Sequence, residues 1–173
     1  MLKQRLIDAV TYLGFDEWRE IKAEEIVFDS VVFDQCARNT CGKFGANHSC
    51  PPMAGTFEDR KSKVLNYRQA LLLNKIISIS SRKALTESRE ALAKAIKEMR
   101  KEFSNDDVLI LGAGACTVCE NCTAPEGLPC RFPDQTQYSM EGSGIDVVRM
   151  SLNQKMTYNA GKGNLGFFTL VLY

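Results

Sequence analysis

The sequence predicts an α/β fold: a single-domain sandwich over residues 1–173, with a mixed sheet and two cysteine-rich metal-binding loops. Three observations lead there. Apolar strand-like runs alternate with amphipathic helix-like runs, the order that places helices on the faces of a sheet. Hydrophobic residues make up 45% of 173, enough for a core that needs no covalent staples. The seven cysteines fall into two tight groups, each in a Gly- and Pro-containing stretch that leaves or joins a strand-like run. The two loops are therefore placed to meet at one end of the sheet.

Residues 2–13 put Leu2, Leu6, Ala9, Val10 and Leu13 at helical spacing, and Gly14 supplies a stop. The β-branched and aromatic run EIVFDSVVF, residues 25–33, predicts one strand or a bent pair. The first cysteine loop follows and closes with Pro51 and Pro52, and a short helix is expected over 57–67. QALLLNKIISIS, residues 69–80, has almost no polar face, as in a strand buried on both sides. The clearest helix covers 84–103, where Leu85, Leu92, Ala95, Ile96, Met99 and Phe103 share a face and most other positions are charged. DVLIL, residues 107–111, is a short strand running directly into Gly112-Ala113-Gly114 and the second cysteine group. Ser143 and Asp146 form an S-x-x-D capping signal for a helix through about residue 154. GFFTLVLY, residues 166–173, ends the chain as a hydrophobic strand.

Charge and hydropathy exclude several partners. A net charge of +1 gives no electrostatic ground for nucleic acid or an anionic membrane. The longest apolar stretches, such as 70–73 and 76–79, are far too short to span a bilayer. The beginning, MLKQRLIDAV, lacks the apolar core and small-residue cleavage site of a signal peptide. A cytoplasmic location is expected. In a reducing compartment disulfides are disfavoured, and clustered cysteines read as metal-binding or catalytic. An odd count of seven agrees, since they cannot all pair within one chain.

Cys116, Cys119, Cys122 and Cys130 form a C-x2-C-x2-C-x7-C run. Bacterial ferredoxins open in the same way to hold three corners of a cubane cluster, the fourth thiolate coming from elsewhere. Zinc sites more often use two separated C-x2-C pairs, so the spacing favours iron–sulfur over zinc. Eight residue steps reach up to roughly 28 Å, which lets Cys130 complete its own site or serve the other group; completing its own is the simpler reading. Gly112 and Gly114 lack the third glycine and following helix of a dinucleotide loop. They read instead as flexible backbone that lets amide N–H groups approach inorganic sulfide.

Cys36, Cys41 and Cys50 form C-x4-C-x8-C, three ligands where an ordinary cubane takes four. His48, the only histidine, is a candidate fourth ligand because imidazole replaces thiolate on iron in some centres. Two other readings stand beside it. A lone loop histidine commonly donates to a nearby carbonyl, and a three-cysteine site can leave one iron open to a small ligand or substrate. Lys43 and Arg131 are placed to offset thiolate charge or to remain ordinary exposed cations, and Glu141 and Asp146 read as capping residues. With one histidine in the chain there is no Ser-His-Asp arrangement.

The segments CGKFGANHSCPP, GACTVCENCTAPEGLPCRFP and YSMEGSGIDV resemble the cysteine-rich "predicted metal-binding protein" family, a family of unknown function found mainly in anaerobic bacteria and archaea. The resemblance extends from the first cysteines to the final strand. It implies metal binding through Cys36, Cys41, Cys50, Cys116, Cys119, Cys122 and Cys130, and it supplies no reaction. The function expected is an iron–sulfur protein with one or two 4Fe–4S clusters in anaerobic redox metabolism or electron transfer, working with a redox partner protein or a small-molecule ligand. Two alternatives remain: an enzyme that uses an open three-cysteine cluster as a Lewis acid, and a zinc-stabilised interaction module.

Overall fold

The computed structural model describes residues 1–173. In chain order its elements are helix α1 (Leu2–Tyr12), strand β1 (Glu17–Lys22), helices α2 (Ser30–Asp34) and α3 (Phe57–Leu65), strand β2 (Gln69–Ser78), helix α4 (Arg82–Glu102), strand β3 (Leu109–Leu111), helix α5 (Val147–Asn153), and strands β4 (Asn159–Gly161) and β5 (Asn164–Leu172). The sheet order is β1-β2-β5-β3, with β4 pairing the start of β5.

β2 and β5 occupy the middle because neither has a face that water can take. Ala70 and Leu72 pack on one side of the sheet and Leu71 and Leu73 on the other, all fully buried. On the first side Leu111, Phe168, Leu170 and Leu172 join Val64 of α3, Met150 of α5 and the loop residues Met140 and Ile145. On the other, Ile110 and Val171 meet Leu6, Ala9 and Val10 of α1 and Leu92, Ile96 and Met99 of α4. One face is thus closed by two regular helices, the other by short helices and the ends of the cysteine-bearing loops.

Every pairing between strands is antiparallel, so the mixed sheet expected from the strand–helix–strand order does not form. β2, α4 and β3 do make a crossover, and β2 and β3 run in the same direction. β5 lies between them and hydrogen-bonds to both. An apolar run buried on both faces gains most at the centre of a sheet, and the last strand takes that place.

The expected strand over 25–33 is replaced by a turn at Ala23–Glu25, a single bridge from Phe28 to Ile145, and α2. Asp29 breaks the extended run: its carboxylate accepts the Val31 N–H at 2.9 Å and caps α2. The strand beside β2 is EWREIK instead, with Ile21 opposite Ala70. Its only deeply buried residue is Ile21, as suits a charged edge strand. α4 begins where Ser81 accepts the Ala84 N–H at 3.1 Å. The capping signal before α5 resolves onto Asp146, which accepts the Arg149 N–H at 2.9 Å. Ser143 is buried and accepts instead from Arg60 at 3.3 Å. No helix is long and apolar enough to cross a membrane.

Candidate metal centre

The second cysteine loop starts as the end of the sheet. Gly112 donates to Tyr138 O and accepts from Met140 N, both at 3.0 Å, so the strand register fixes where the loop departs. Gly114 takes a left-handed φ of 84°, which turns the chain away from β3. After Cys122 the chain reverses through a turn at Ala124–Glu126, closed by Gly127 at φ 68°. The buried Thr123 ties this reversal off, its hydroxyl donating to Pro129 O at 2.9 Å. The seven-residue gap before Cys130 is therefore folded back rather than extended. Cys116, Cys119, Cys122 and Cys130 all line one small cavity, together with Val118, Phe132, Asn47, His48 and Thr136.

The first group is held by turns alone. A turn at Gln35–Arg38 ends on Asn39 in the left-handed region, and Asn39 Oδ1 accepts the Phe44 N–H at 3.0 Å. Gly45 N then reaches Pro51 O at 2.9 Å, bringing the end of the loop back towards its start. Cys36 and Cys50 are half-buried and Cys41 is exposed. Burial pushes the Cys36 thiol up, and the facing charges of Cys50, Cys41 and Glu141 push the same way. Burial likewise raises Cys50; the Ser49 hydroxyl and Lys43 pull it down, while Cys41 and Cys116 add to the rise. Charge on Cys41 thus acts on both Cys36 and Cys50, and charge on Cys116 of the other group acts on Cys50 as well.

The two loops are joined by Asn47, His48 and Ser49. Asn47 Nδ2 donates to Cys116 O at 3.0 Å, and Cys116 N donates to Ser49 Oγ at 2.9 Å. Asn47 Oδ1 accepts both the N–H and the hydroxyl of Ser49, at 3.0 and 2.9 Å. His48 N points at Cys122 Sγ, 3.5 Å away. Asn47 and Ser49 are buried, so these bonds form without competition from water. Sequence reasoning passed over both residues. Asn-x-Ser beside a cysteine is a local turn signal, but its partners lie on a different loop.

His48 is one candidate for the fourth ligand of the first group, beside the reading of a loop histidine bonded to a carbonyl. The structure places it against the second group, with Nε2 3.0 Å from Leu128 O and 3.2 Å from Thr123 Oγ1, the carbonyl contact of the second reading. The reason is the crossing segment 47–49: two residues before Cys50 the chain is already packed on the other loop. The charge of Lys43 acts on Cys50 and favours its thiolate. Arg131 donates to Asn121 O at 2.9 Å and so braces the second loop. All seven cysteines are free thiols. No three His, Cys, Asp or Glu side chains meet tightly enough to clasp one bare ion; the cysteines line a space.

A family model described as predicted metal-binding protein (DUF2284) matches residues 19–173. No curated protein matches the chain. Among solved structures the chain is similar to epoxyqueuosine reductase from Bacillus subtilis, with 13% identity and a TM-score of 0.40 over 99% of this chain and 44% of that one. It is also similar to an epoxyqueuosine reductase crystallised with a tRNA-Tyr epoxyqueuosine-modified tRNA stem loop, at 11% identity and a TM-score of 0.34 over 98% and 45%. The chain spans less than half the length of either structure.

Proposed function

The chain belongs to the family described as predicted metal-binding protein, and we propose that its metal is iron, held as a 4Fe–4S cluster by Cys116, Cys119, Cys122 and Cys130. The observation that carries this reading is the shared cavity: four free thiols from one folded loop line it. The donor set fits the group. Soft thiolates select iron–sulfur clusters, copper(I) or zinc, and three cysteines at two-residue intervals favour the first. When bound, such a cluster supplies one-electron transfer.

The chain's own residues have separate tasks. Val118 and Phe132 give the cavity apolar walls that limit water. Asn47 and Ser49 fix the backbone of Cys116, and the His48 N–H is aimed at the Cys122 sulfur. Hydrogen bonds to ligating sulfurs tune the potential of such centres. Electron transfer to a redox partner protein in a reducing cytoplasm is the role that fits these features.

A second reading is favoured by the first group. Cys36, Cys41 and Cys50 are three donors where a cubane takes four, their charges act on one another, and Cys41 is exposed. An iron–sulfur cluster held there would keep one iron open for a small ligand, the arrangement of catalytic rather than structural sites.

The test is metal and sulfide content after purification without air. The expected protein is brown, with broad absorbance near ~400 nm and acid-labile sulfide matching its iron. A colourless protein with stoichiometric zinc and no sulfide sinks both readings and leaves a zinc-stabilised module. Adding small ligands while recording the EPR spectrum separates carrier from open site, since a fully ligated cluster gives no response.

A further inference from the structure

We infer that Arg100 is the electrostatic partner of the Cys116–Cys130 centre, a positioning residue that braces the entry of the cysteine loop and favours the reduced state of the cluster. This rests on the cluster reading above. Arg100 stands in the last turn of α4, and its Nη2 donates to Ile110 O at 2.9 Å, on the strand that feeds the loop. A Cβ placed on Gly112 would lie 3.8 Å from the same nitrogen, so the guanidinium runs directly beneath the loop's first turn.

Arg100 has no carboxylate partner. The chain's ion pairs use Lys3, Arg5, Lys22, Lys83 and Arg149. Burial lowers the Arg100 cation to about 10, and the one charge that acts in the opposite direction is Cys116. Withdrawing a guanidinium from water is costly unless a negative group repays it. A metal-bound Cys116 is a thiolate, and a thiolate-ligated cluster is a larger negative charge than one sulfur. Reduction adds a further electron to that charge. A fixed cation at the loop entry therefore stabilises the reduced form and raises the potential.

Arg60, a fully buried guanidinium where Arg100 is half-buried, shows the contrast. Arg60 stacks 3.6 Å above the Tyr138 ring and donates to Ser143, leaving Nε and Nη1 without partners. The charge that opposes its desolvation belongs to Tyr138, not to a cysteine. Burial alone does not direct an arginine at the centre; the placement of Arg100 does.

The experiment is a spectroelectrochemical titration of the full chain, reconstituted anaerobically, as wild type, Arg100→Gln, Arg100→Lys and Arg89→Gln. Arg89 is an exposed cation on the same helix and serves as the charge control. Arg100→Gln should move the oxidised-to-reduced ratio at a fixed potential about tenfold toward oxidised, equal to about 59 mV for one electron. Arg100→Lys should restore most of that shift, and Arg89→Gln should change nothing. If Arg100→Gln fails to load while Arg100→Lys loads at the wild-type potential, the charge requirement stands. The inference is overturned if Arg100→Gln holds full iron and sulfide at the wild-type potential, or if Arg100→Lys shifts as far as Arg100→Gln. A wild-type protein without iron and sulfide overturns the cluster reading itself, and the inference with it.

Discussion

The loop of Cys116 to Cys130 leaves a sheet strand and is fastened to a neighbouring segment at Gly112, then tied off at Thr123 and Pro129. The loop of Cys36 to Cys50 leaves the short helix α2, turns at Asn39 and Gly45, and meets no strand. The first arrangement brings four thiols to one cavity, while the second leaves one of three exposed. The lesson is that a ligand set is as well defined as the element feeding it. A sheet register leaves little freedom at the loop's start, whereas a chain of turns leaves each cysteine to be placed by local bonds. The weaker loop gains its order from the stronger one, through Asn47 and Ser49.

The sharpest way to break this comparison is to remove one thiol from each side. Cys122→Ser should abolish the cluster of the second group, whereas Cys41→Ser should leave that cluster loaded; iron and sulfide per chain after anaerobic reconstitution decide it. Equal losses from both variants would erase the distinction between the loops.

A smaller effect is expected at the junction. Asn47→Ala strips a buried partner from Cys116 O and from Ser49, at a cost of about 1–3 kcal/mol. Asn39→Gly keeps the left-handed backbone of the exposed turn and loses one bond to Phe44, which should cost about 0.5 kcal/mol. Urea unfolding of the metal-free protein measures both, and similar midpoints would show that the junction carries no special load.

The smallest effect is a pH dependence confined to the first group. Cys36 and Cys50 are raised by burial and by facing charge, so folding favours their protonated thiols. Their contribution is fully present below the ordinary thiol value of 9.0 and is lost as pH rises through the raised folded values. Stability of the metal-free chain should fall as pH rises past 9.0, and fall less in Cys36→Ser/Cys50→Ser. Tyr67 and Tyr173 are also raised, Tyr173 to about 12, so only the difference between the two proteins isolates the thiols. Parallel pH curves would remove the facing charges from the account.

Some of this was legible in the residues alone. Helical spacing located α1 and α4 to within two residues at either end, because an amphipathic stripe reports which side of a helix is covered. The double-faced apolar runs located β2 and β5 for a similar reason. Residues 25–33 misled because β-branched content says nothing of whether a partner strand is in reach, and Asp29 decided for a helix cap. EWREIK was hidden by its charges, an edge strand with one buried residue.

The sequence by itself determined the metal-binding character of the chain: which donors it carries, that they are soft, and that they come as four and three. Those facts are local, fixed by residue type and by spacings of a few positions. Tertiary structure alone decided that β5 divides β2 from β3, that Cys130 returns to the cavity of its own group, and that His48 turns to the second loop. It also set Arg100 beneath Gly112 and joined Cys116 N to Ser49 Oγ, 67 residues away. Periodicity states that a face is buried but not against what. A hydrogen bond across so many residues exists only once the sheet has brought its two ends together.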